Sequence, residues 1–504
     1  ADGVYPQGSA AFEKRGIAVD VPEWEPTSCA QCNRCAMVCP HAVIRPVALT
    51  ADELAAAPAN TKAVDLKVPK DSGLKYAIII STLDCTGCAS CANVCPTKSL
   101  TMKPIASQMD SQPVFDALCD VDPKAEVASD KTIVSTQYLK PYLEFSGACA
   151  GCGETPYAKL ATQLYGDKMY IANATGCSSI WGGSAHSTPY TVDKNGNGPA
   201  WSNSLFEDNA EFGLGMFLAQ TQIRERLAKD ALALKDTSVG DKVQAYLDTF
   251  TSTRGNDAPA KALIEALENT EFEGAEKEAA EDFLKDKSYA AKKSQWIFGG
   301  DGWAYDIGFG GLDHVLAQNQ DVNVLVFDTE VYSNTGGQAS KSTPTGAVAQ
   351  FAASGKITKK KDLAKIAMSY GYIYVAQVAM GADYNQCLKA FKEAEAYNGP
   401  SIIIAYAPCI NHGIKMPFNQ AEQKKAVAAG YWNLFRFNPA LAEEGKNPFS
   451  LDSKAPSADY IEFINGETRY SSLRRSFPEK ADKLFNIAAE NAVAKYNDLL
   501  RTVE

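Results

Sequence analysis

The stretch "CAQCNRCAMVCP", residues 29–40, decides the first part of the fold, and it returns 56 positions later as "CTGCASCANVCP", residues 85–96. Both runs have the form C-x2-C-x2-C-x3-C-P. Two intervening residues form a tight loop that aims successive thiolates at the corners of one iron-sulfur cube, and the Pro ends the loop. The repeat therefore predicts an α+β domain that holds two [4Fe-4S] clusters.

The eight cysteines of the repeat divide into two sets of four. In this pattern, which is typical of bacterial two-cluster ferredoxins, the fourth cysteine of each run binds the cluster of the other run. The first set is then Cys29, Cys32, Cys35 and Cys95, and the second set is Cys39, Cys85, Cys88 and Cys91. Zinc is the alternative, but it prefers two separated C-x2-C pairs around one ion. His41 is expected at the surface, because the cluster already has four sulfurs.

Length and composition limit the remaining possibilities. A chain of 504 residues exceeds what one hydrophobic core usually supports, so we expect a multidomain protein. The net charge of −11 argues against a nucleic-acid surface, and no apolar run is long enough to cross a membrane. Fourteen cysteines clustered within so long a chain favour bound metal in a reducing cytoplasm over a secreted disulfide scaffold. Because the sequence begins at Ala1 rather than Met, we expect a fragment, a processed product or a separately numbered piece.

After residue 120 the pattern changes to short apolar runs between helical stretches. Such runs predict an α/β domain with a mostly parallel sheet covered on both faces, and ligands of such sheets bind at the carboxyl ends of the strands. The predicted domains are 1–125, 126–440 with a helical insertion at about 217–292, and a C-terminal helical segment at 441–504. The strand candidates are 132–139, 168–175, 295–300, 322–329, 372–379 and 401–408.

A third C-x2-C pair, Cys149 and Cys152, lies in "SGACAGCGE". A third cluster needs two more thiolates, and spacing alone does not choose among Cys119, Cys177, Cys387 and Cys409. Position at strand ends favours Cys177 and Cys409, whereas Cys387 lies in a helical run and Cys119 is expected to be structural. A cluster is the favoured interpretation, and zinc or unrelated free thiols are the alternatives.

Two further segments, "GGDGWAYDIG" at 299–308 and "DTEVYSNTGGQ" at 328–338, suggest a site for a cation and a phosphate. A strand that ends in Gly-Asp-Gly offers a carboxylate to a hard cation and backbone amides to phosphate. An isolated Gly-Asp-Gly would be an ordinary turn. A polar, Gly-rich loop after the next strand makes the pair resemble the magnesium and diphosphate site of thiamine diphosphate enzymes.

Together with the cysteines, these segments and "GPAWSNSLFEDNAEFGLGM" (198–216) resemble the C-terminal part of the pyruvate:ferredoxin (flavodoxin) oxidoreductases, in the 2-oxoacid:ferredoxin oxidoreductase family. The resemblance implies a third cluster on the set Cys149, Cys152, Cys177 and Cys409. It implies that Asp301, the Thr329 hydroxyl and the Val331 carbonyl bind Mg²⁺; many thiamine enzymes have Asn in place of Thr329. It implies contacts to thiamine diphosphate from Glu154, Cys177, Gly300, Asp301, Gly302, Trp303, Thr329, Glu330, Val331, Tyr332, Ser333 and Asn334. It also implies that Asn334 lies near the oxoacid as a catalytic residue.

The resemblance further implies oxidative decarboxylation of pyruvate with coenzyme A to acetyl-CoA and CO₂. Electrons would pass from thiamine diphosphate through three [4Fe-4S] clusters to ferredoxin or flavodoxin. In this family the activating glutamate, the carboxylate-binding arginine and most coenzyme A contacts belong to N-terminal domains. We therefore expect this chain to need those domains for turnover, and to work in a homodimer.

Three alternatives remain at this point. The chain is an electron-transfer module with no thiamine chemistry, or a non-redox thiamine enzyme, or an oxidoreductase for another oxoacid such as 2-oxoglutarate, a branched-chain oxoacid or indolepyruvate. The intact Gly-Asp-Gly segment disfavours the first, and the eight repeated cysteines disfavour the second.

Overall fold

The computed structural model describes residues 5–184, 187–205 and 207–503. Each predicted domain, and the stretch 198–216, includes a few residues outside these ranges.

The N-terminal part contains two small antiparallel sheets and the helices that carry the cysteine runs. Strands β1 and β5 form one sheet, and β2, β4 and β3 form the other in that order. The strands are β1 (Asp20–Trp24), β2 (Ile44–Leu49), β3 (Val64–Asp65), β4 (Lys75–Ile80) and β5 (Leu100–Pro104). The helices are α1 (Arg34–Val38), α2 (Ala51–Ala56), α3 (Ser90–Val94) and α4 (Ser111–Leu118). Strands β2, β3 and β4 all lie in the linker between the two cysteine runs.

The sequence repeat is also a repeat of backbone conformation. Helices α1 and α3 each begin one residue before the third cysteine of a run, and the residue before each helix has a left-handed backbone. Three pairs of residues 56 positions apart share a positive φ, namely Gln31 and Gly87, Asn33 and Ala89, and Ala42 and Lys98. Left-handed conformations cost about 1–2 kcal/mol for most residues, so their recurrence indicates that the cysteine loops require them.

The rest of the chain is organised around an eight-stranded sheet in the order β13-β12-β10-β11-β9-β8-β6-β7. The six strands β10, β11, β9, β8, β6 and β7 are parallel to one another. Strand β12 pairs antiparallel with β10 on one side and with β13 on the other. The predicted, mostly parallel sheet is therefore confirmed. The strands are β6 (Met169–Ala174), β7 (Ala200–Ser204), β8 (Ser294–Gly300), β9 (Asn323–Asp328), β10 (Tyr374–Val378), β11 (Ser401–Tyr406), β12 (Phe435–Phe437) and β13 (Phe449–Leu451).

The sheet is buried on both faces, which explains why its strands are continuous apolar runs. Ile297 and Val324 belong to one hydrophobic cluster, whereas their neighbours Phe298 and Leu325 belong to another. Alternate side chains thus enter separate cores. The helices of this part of the chain are α5 (Ile133–Thr136), α6 (Thr155–Tyr165), α7 (Cys177–Ser179), α8 (Asn209–Ala233), α9 (Gly240–Asp248), α10 (Asp257–Glu268), α11 (Gly274–Lys285), α12 (Phe309–Ala317), α13 (Leu363–Met368), α14 (Tyr384–Ala396), α15 (Asn419–Ala428), α16 (Ala440–Glu443), α17 (Tyr460–Asn465), α18 (Thr468–Ser476) and α19 (Pro478–Val503).

Shorter helical turns complete the described elements. Two π-helical segments cover Ile180–Ser184 and Gly302–Ile307. The 3-10 turns are Ser9–Phe12, Ile105–Ser107, Gly166–Lys168, Lys287–Tyr289, Ile410–His412 and Met416–Phe418. No helix in the described ranges is long and apolar enough to cross a membrane.

The structure corrects two expectations about secondary structure. Residues 132–139 are not a strand, because the Thr132 hydroxyl accepts from the Ser135 backbone N–H and starts α5. The segment 441–504 is not wholly helical, because β13 joins the main sheet. The predicted insertion is helical and has its own core around Leu227, Tyr246 and Phe283. The domain boundaries themselves stay predictions.

Candidate functional site

The candidate residues lie at one edge of the main sheet, at the carboxyl ends of four neighbouring parallel strands. Strands β11, β9, β8 and β6 are adjacent in that order. Their carboxyl ends are in register, with Tyr406 opposite Asp328 and Gly300 opposite Phe327. Cys409, Thr329, Asp301 and Cys177 follow these four strand ends, and parallel strands end at the same edge of a sheet.

The three predicted magnesium ligands converge at this edge. The Thr329 hydroxyl lies 2.9 Å from Asp301 Oδ1 and 3.1 Å from the Val331 carbonyl oxygen. All three residues are buried. Adjacent oxygens around an octahedral Mg²⁺ are about 2.9 Å apart, so this trio fits the cation in both chemistry and spacing.

Among the residues that the structure describes, no cationic side chain forms an ion pair with Asp301, although Lys360 acts on it from a greater distance. Its Oδ2 accepts from the Ser340 hydroxyl at 2.6 Å, and its Oδ1 accepts from the Thr329 backbone N–H at 3.2 Å. Burial, and after it the nearby Asp328 carboxylate, raises the pKa of Asp301 well above its ordinary value. A divalent cation at this place would supply the charge that keeps Asp301 ionised.

The Gly-Asp-Gly segment leaves no room for side chains at its last glycine. A Cβ at Gly302 would lie 2.5 Å from the Tyr332 ring, so the two predicted segments pack directly against each other. Trp303 is buried, and its indole N–H has no hydrogen-bond partner. A buried donor without a partner beside a proposed diphosphate site fits a missing polar ligand.

Glu330 is placed differently from the expected cofactor contact. Its backbone is left-handed, with φ 60°, and its carboxylate points to Lys360 at 2.9 Å, Arg469 at 2.7 Å and the Tyr431 hydroxyl at 2.5 Å. Although burial opposes ionisation, Lys360 and Arg469 lower the pKa of Glu330 to about 2. This side chain is therefore committed to an ion network, and a cofactor contact from residue 330 would have to use the backbone.

The end of this loop connects the magnesium trio to the third set of cysteines. Ser333 Oγ lies 3.1 Å from Cys177 Sγ, and Asn334 is exposed next to it. The Cys177 thiol interacts electrostatically with the Cys152 and Cys409 thiols, and Cys409 interacts with Cys149. The structure therefore brings the predicted third set together. It leaves out Cys119 and places Cys387 in the core inside α14.

Burial raises the pKa values of three thiols of the third set. It raises the pKa of Cys409 to about 11 and the pKa values of Cys152 and Cys177 further. Buried thiols of this kind are thiolates only when a metal takes the place of the proton. The arrangement fits a metal cluster better than free thiols.

Glu154 lies between this set and the sheet edge, at the residue before α6. Its carboxylate is buried and accepts from the Trp181 indole N–H at 2.7 Å. Burial raises the pKa of Glu154 to about 7, and the Trp181 bond partly offsets the rise. A group that changes protonation near neutral pH suits a contact with an ionisable heterocycle.

The repeat cysteines interact as the crossed assignment requires. Cys35 interacts electrostatically with Cys32, Cys29 and Cys95, which completes the first set. Cys85 interacts with Cys39 and Cys88, and Cys91 with all three of these, which completes the second set. Burial raises the pKa of Cys85 to about 12.

The three cysteine loops share one hydrogen-bond pattern. Backbone N–H groups donate to the thiol two residues earlier at 3.4 Å, from Gln31 to Cys29, from Gly87 to Cys85 and from Glu154 to Cys152. Within the described ranges, no three Cys, His, Asp or Glu residues are grouped around a single metal position. A zinc ion needs its ligands on one point, whereas each thiolate of a [4Fe-4S] cluster binds a different iron.

His41 is buried, contrary to the sequence-based expectation, and it connects the repeat to the third set. Its Nε2–H donates to the carbonyl of Ala148, the residue before Cys149, at 2.9 Å. The Gly151 backbone N–H, between Cys149 and Cys152, donates to Cys88 Sγ. Packing between distant segments creates these contacts, as it does those of Trp181, Ser340 and Lys159, and no local sequence signal indicates them.

Comparisons with known proteins agree with this geometry. The family described as 4Fe-4S dicluster domain matches residues 28–99, and the family described as thiamine pyrophosphate enzyme, C-terminal TPP binding domain, matches residues 248–405. The chain is 54% identical to a pyruvate:ferredoxin oxidoreductase of Moorella thermoacetica, over 100% of the chain and 44% of the relative. It is 53% identical to a pyruvate-flavodoxin oxidoreductase of Klebsiella pneumoniae, over 98% of the chain and 42% of the relative. A solved 2-oxoglutarate:ferredoxin oxidoreductase from Magnetococcus marinus, at 16% identity and a TM-score of 0.32 over 53% of this chain and 65% of that one, is too distant to carry an argument. The chain thus spans less than half the length of these curated relatives.

Proposed function

This chain belongs to the family of the pyruvate:ferredoxin and pyruvate-flavodoxin oxidoreductases, and on that premise we propose that it carries the thiamine-binding and electron-transferring part of such an enzyme. The proposed reaction converts pyruvate and coenzyme A to acetyl-CoA and CO₂, with two electrons delivered to ferredoxin or flavodoxin. The cofactors would be thiamine diphosphate, Mg²⁺ and three [4Fe-4S] clusters. When bound, the thiamine would take up the electron pair left by CO₂, and the clusters would accept electrons singly.

In this proposal the sheet edge holds the thiamine diphosphate through its cation. Asp301, the Thr329 hydroxyl and the Val331 carbonyl would bind Mg²⁺. Glu154 would contact the heterocycle, and Asn334 would face the oxoacid as the catalytic residue. The exposure of Asn334 supports this role, because the oxoacid must enter from solvent.

The contact between Cys177 and Ser333 is the observation that carries the proposal. It joins a cluster ligand to the loop of the magnesium trio at 3.1 Å. A thiamine enzyme without redox chemistry has no use for an electron acceptor at this place. The contact therefore supports oxidative decarboxylation over the non-redox alternative.

The proposed order of the clusters follows from burial. The second set contacts the third through Gly151 and His41, and three of its four thiols are buried. The four residues of the first set are all partly exposed, although burial raises the pKa of the Cys35 thiol. The second set would then stand between the third set and the first, and the first set would face the external acceptor.

The proposed partners extend beyond this chain. The names of the relatives support pyruvate over 2-oxoglutarate, branched-chain oxoacids or indolepyruvate, and support ferredoxin or flavodoxin as acceptor. The portion of the relatives that this chain does not match would supply the coenzyme A contacts and the remaining catalytic groups. We include a homodimer and a cytoplasmic, oxygen-poor setting in the proposal.

The test is anaerobic turnover of the complete protein with pyruvate, coenzyme A and either ferredoxin or flavodoxin. We expect acetyl-CoA formation coupled to carrier reduction, with pyruvate preferred in a panel of oxoacids. Carrier reduction without thiamine dependence would reduce the protein to an electron-transfer module. Preference for another oxoacid would change the substrate and leave the mechanism in place.

A further inference from the structure

Lys159 lies at the boundary between the two cofactor-carrying parts of the chain. It belongs to α6, which begins just after Glu154, and only 2% of the residue is exposed. Its side chain crosses to α1 in the N-terminal part. There the Nζ atom donates to the carbonyls of Met37 and Cys39 at 3.0 Å each, and to the carbonyl of Ala36.

The surroundings of Nζ define its charge state. Three carbonyl oxygens accept from it, and an ammonium group has three N–H donors, whereas a neutral amine would turn its lone pair towards one of these oxygens. In the part of the chain that the structure describes, no carboxylate lies within ion-pair distance of Lys159. Burial lowers the pKa of Lys159 to about 8, and the side chains that interact with it electrostatically are Cys39, Arg45 and Cys35.

Among the described residues, no lysine donates to the backbone carbonyls at the matching place in the other half of the repeat. Residues 36, 37 and 39 correspond to Ala92, Asn93 and Cys95 at the end of α3. Those three are partly or fully exposed, whereas Ala36, Met37 and Cys39 are buried. The two halves therefore share a backbone and differ in a buried positive charge.

We propose that Lys159 is an electrostatic positioning residue that raises the reduction potential of the cluster on the second set. The proposal rests on the proposed function, since it requires that cluster. Reduction adds one electron and forms or breaks no bond, so the cluster becomes one unit more negative. A fixed positive charge in a poorly polarisable interior stabilises the more negative state. The second set is the one affected most, because Lys159 binds the carbonyl of its ligand Cys39.

The proposed function of this charge is to make the cluster on the second set easier to reduce. The second set contacts the third set, and its cysteines are more buried than those of the first set. Water screens charges near the first set, but little water reaches Lys159. The lysine would thus favour electron transfer away from the thiamine site, without touching substrate or thiamine.

The test is an anaerobic redox titration of the complete protein, with each cluster followed by electron paramagnetic resonance. K159Q removes the charge and keeps a donor for the carbonyls, K159M removes both, and K159R keeps the charge. The matched control is K168M, because Lys168 is another buried lysine that binds the Thr253 carbonyl and Asp257 away from α1. We expect K159Q and K159M to shift the midpoint potential of one cluster to more negative values, with K159R and K168M close to the wild type.

Several results would overturn the proposal. Wild-type potentials in K159Q at full iron content would show that the charge has no effect on the cluster. Equal shifts of all three clusters in K159Q would show a general structural change. If K159M loses iron, K159Q and K159R still decide the question. Absence of the second cluster from the wild-type protein would instead contradict the proposed function.

Discussion

The two halves of the cysteine repeat have the same backbone conformation but differ in how deeply they are buried. Residues 29–42 and 85–98 share spacing, short helices and left-handed turns. Residues 39–42 are buried against the thiamine-binding part, whereas 96–98 are exposed. The difference teaches that spacing fixes how a cluster is held, while packing against the second domain decides which cluster connects to the thiamine site.

The largest expected effect separates the two fourth cysteines. C39S and C95S should each lose one cluster, about four irons. In C39S we expect pyruvate to leave the first-set cluster oxidised, because the intermediate site is gone. In C95S pyruvate should still reduce the second-set cluster, although transfer to the external carrier fails. Electron paramagnetic resonance after addition of pyruvate distinguishes the two. Reduction of the first-set cluster in C39S would contradict the order of sites.

A second change leaves both halves intact and removes the magnesium site. D301A should lower the affinity for thiamine diphosphate with Mg²⁺ by about 100-fold or more, since a buried carboxylate ligand is lost. Iron content should stay unchanged. Calorimetric titration with the cofactor gives the affinity, and D313N is the control because Asp313 lies in α12, outside the Gly-Asp-Gly segment, and accepts from the Tyr370 hydroxyl at 2.9 Å. Wild-type affinity in D301A would remove Asp301 from the site.

A third comparison concerns the residues after the two prolines, His41 and Thr97. H41F removes the donor to the Ala148 carbonyl and should destabilise the protein by about 1 kcal/mol. T97V changes an exposed side chain and should cost less than about 0.5 kcal/mol. The measurement is the temperature at which the visible cluster absorbance is lost. Equal effects of the two substitutions would deny that burial distinguishes the halves.

The smallest expected effect concerns the left-handed residues before α1 and α3. A89G should stabilise the protein by about 0.5–1 kcal/mol, because glycine adopts φ 60° without strain. N33G should destabilise it, because Asn33 donates to the Val134 carbonyl at 2.9 Å and accepts from the Tyr76 hydroxyl at 2.9 Å. Denaturant midpoints of the two variants should therefore move in opposite directions. Movement in the same direction would mean that the hydrogen bonds of Asn33 contribute little.

Local patterns predicted most of the strands of the main sheet. The spacing of the cysteines and the runs that became β6, β8, β9, β10 and β11 are determined by near neighbours in sequence. The strand prediction at 132–139 was wrong. It rested on the β-branched residues Ile133 and Val134, but hydrogen bonds between Thr132 and Ser135 start a helix there. His41, Lys159 and the ion network of Glu330 could not be predicted, because their partners lie far away in sequence.

One measurement tests the central claim most directly. It is anaerobic quantification of iron, sulfide and thiamine in the complete protein, with electron paramagnetic resonance before and after addition of pyruvate without coenzyme A. We predict about twelve irons and one thiamine per chain, with a cluster signal that appears only after pyruvate. About eight irons, no thiamine and no response to pyruvate would contradict the account and leave a ferredoxin-like carrier.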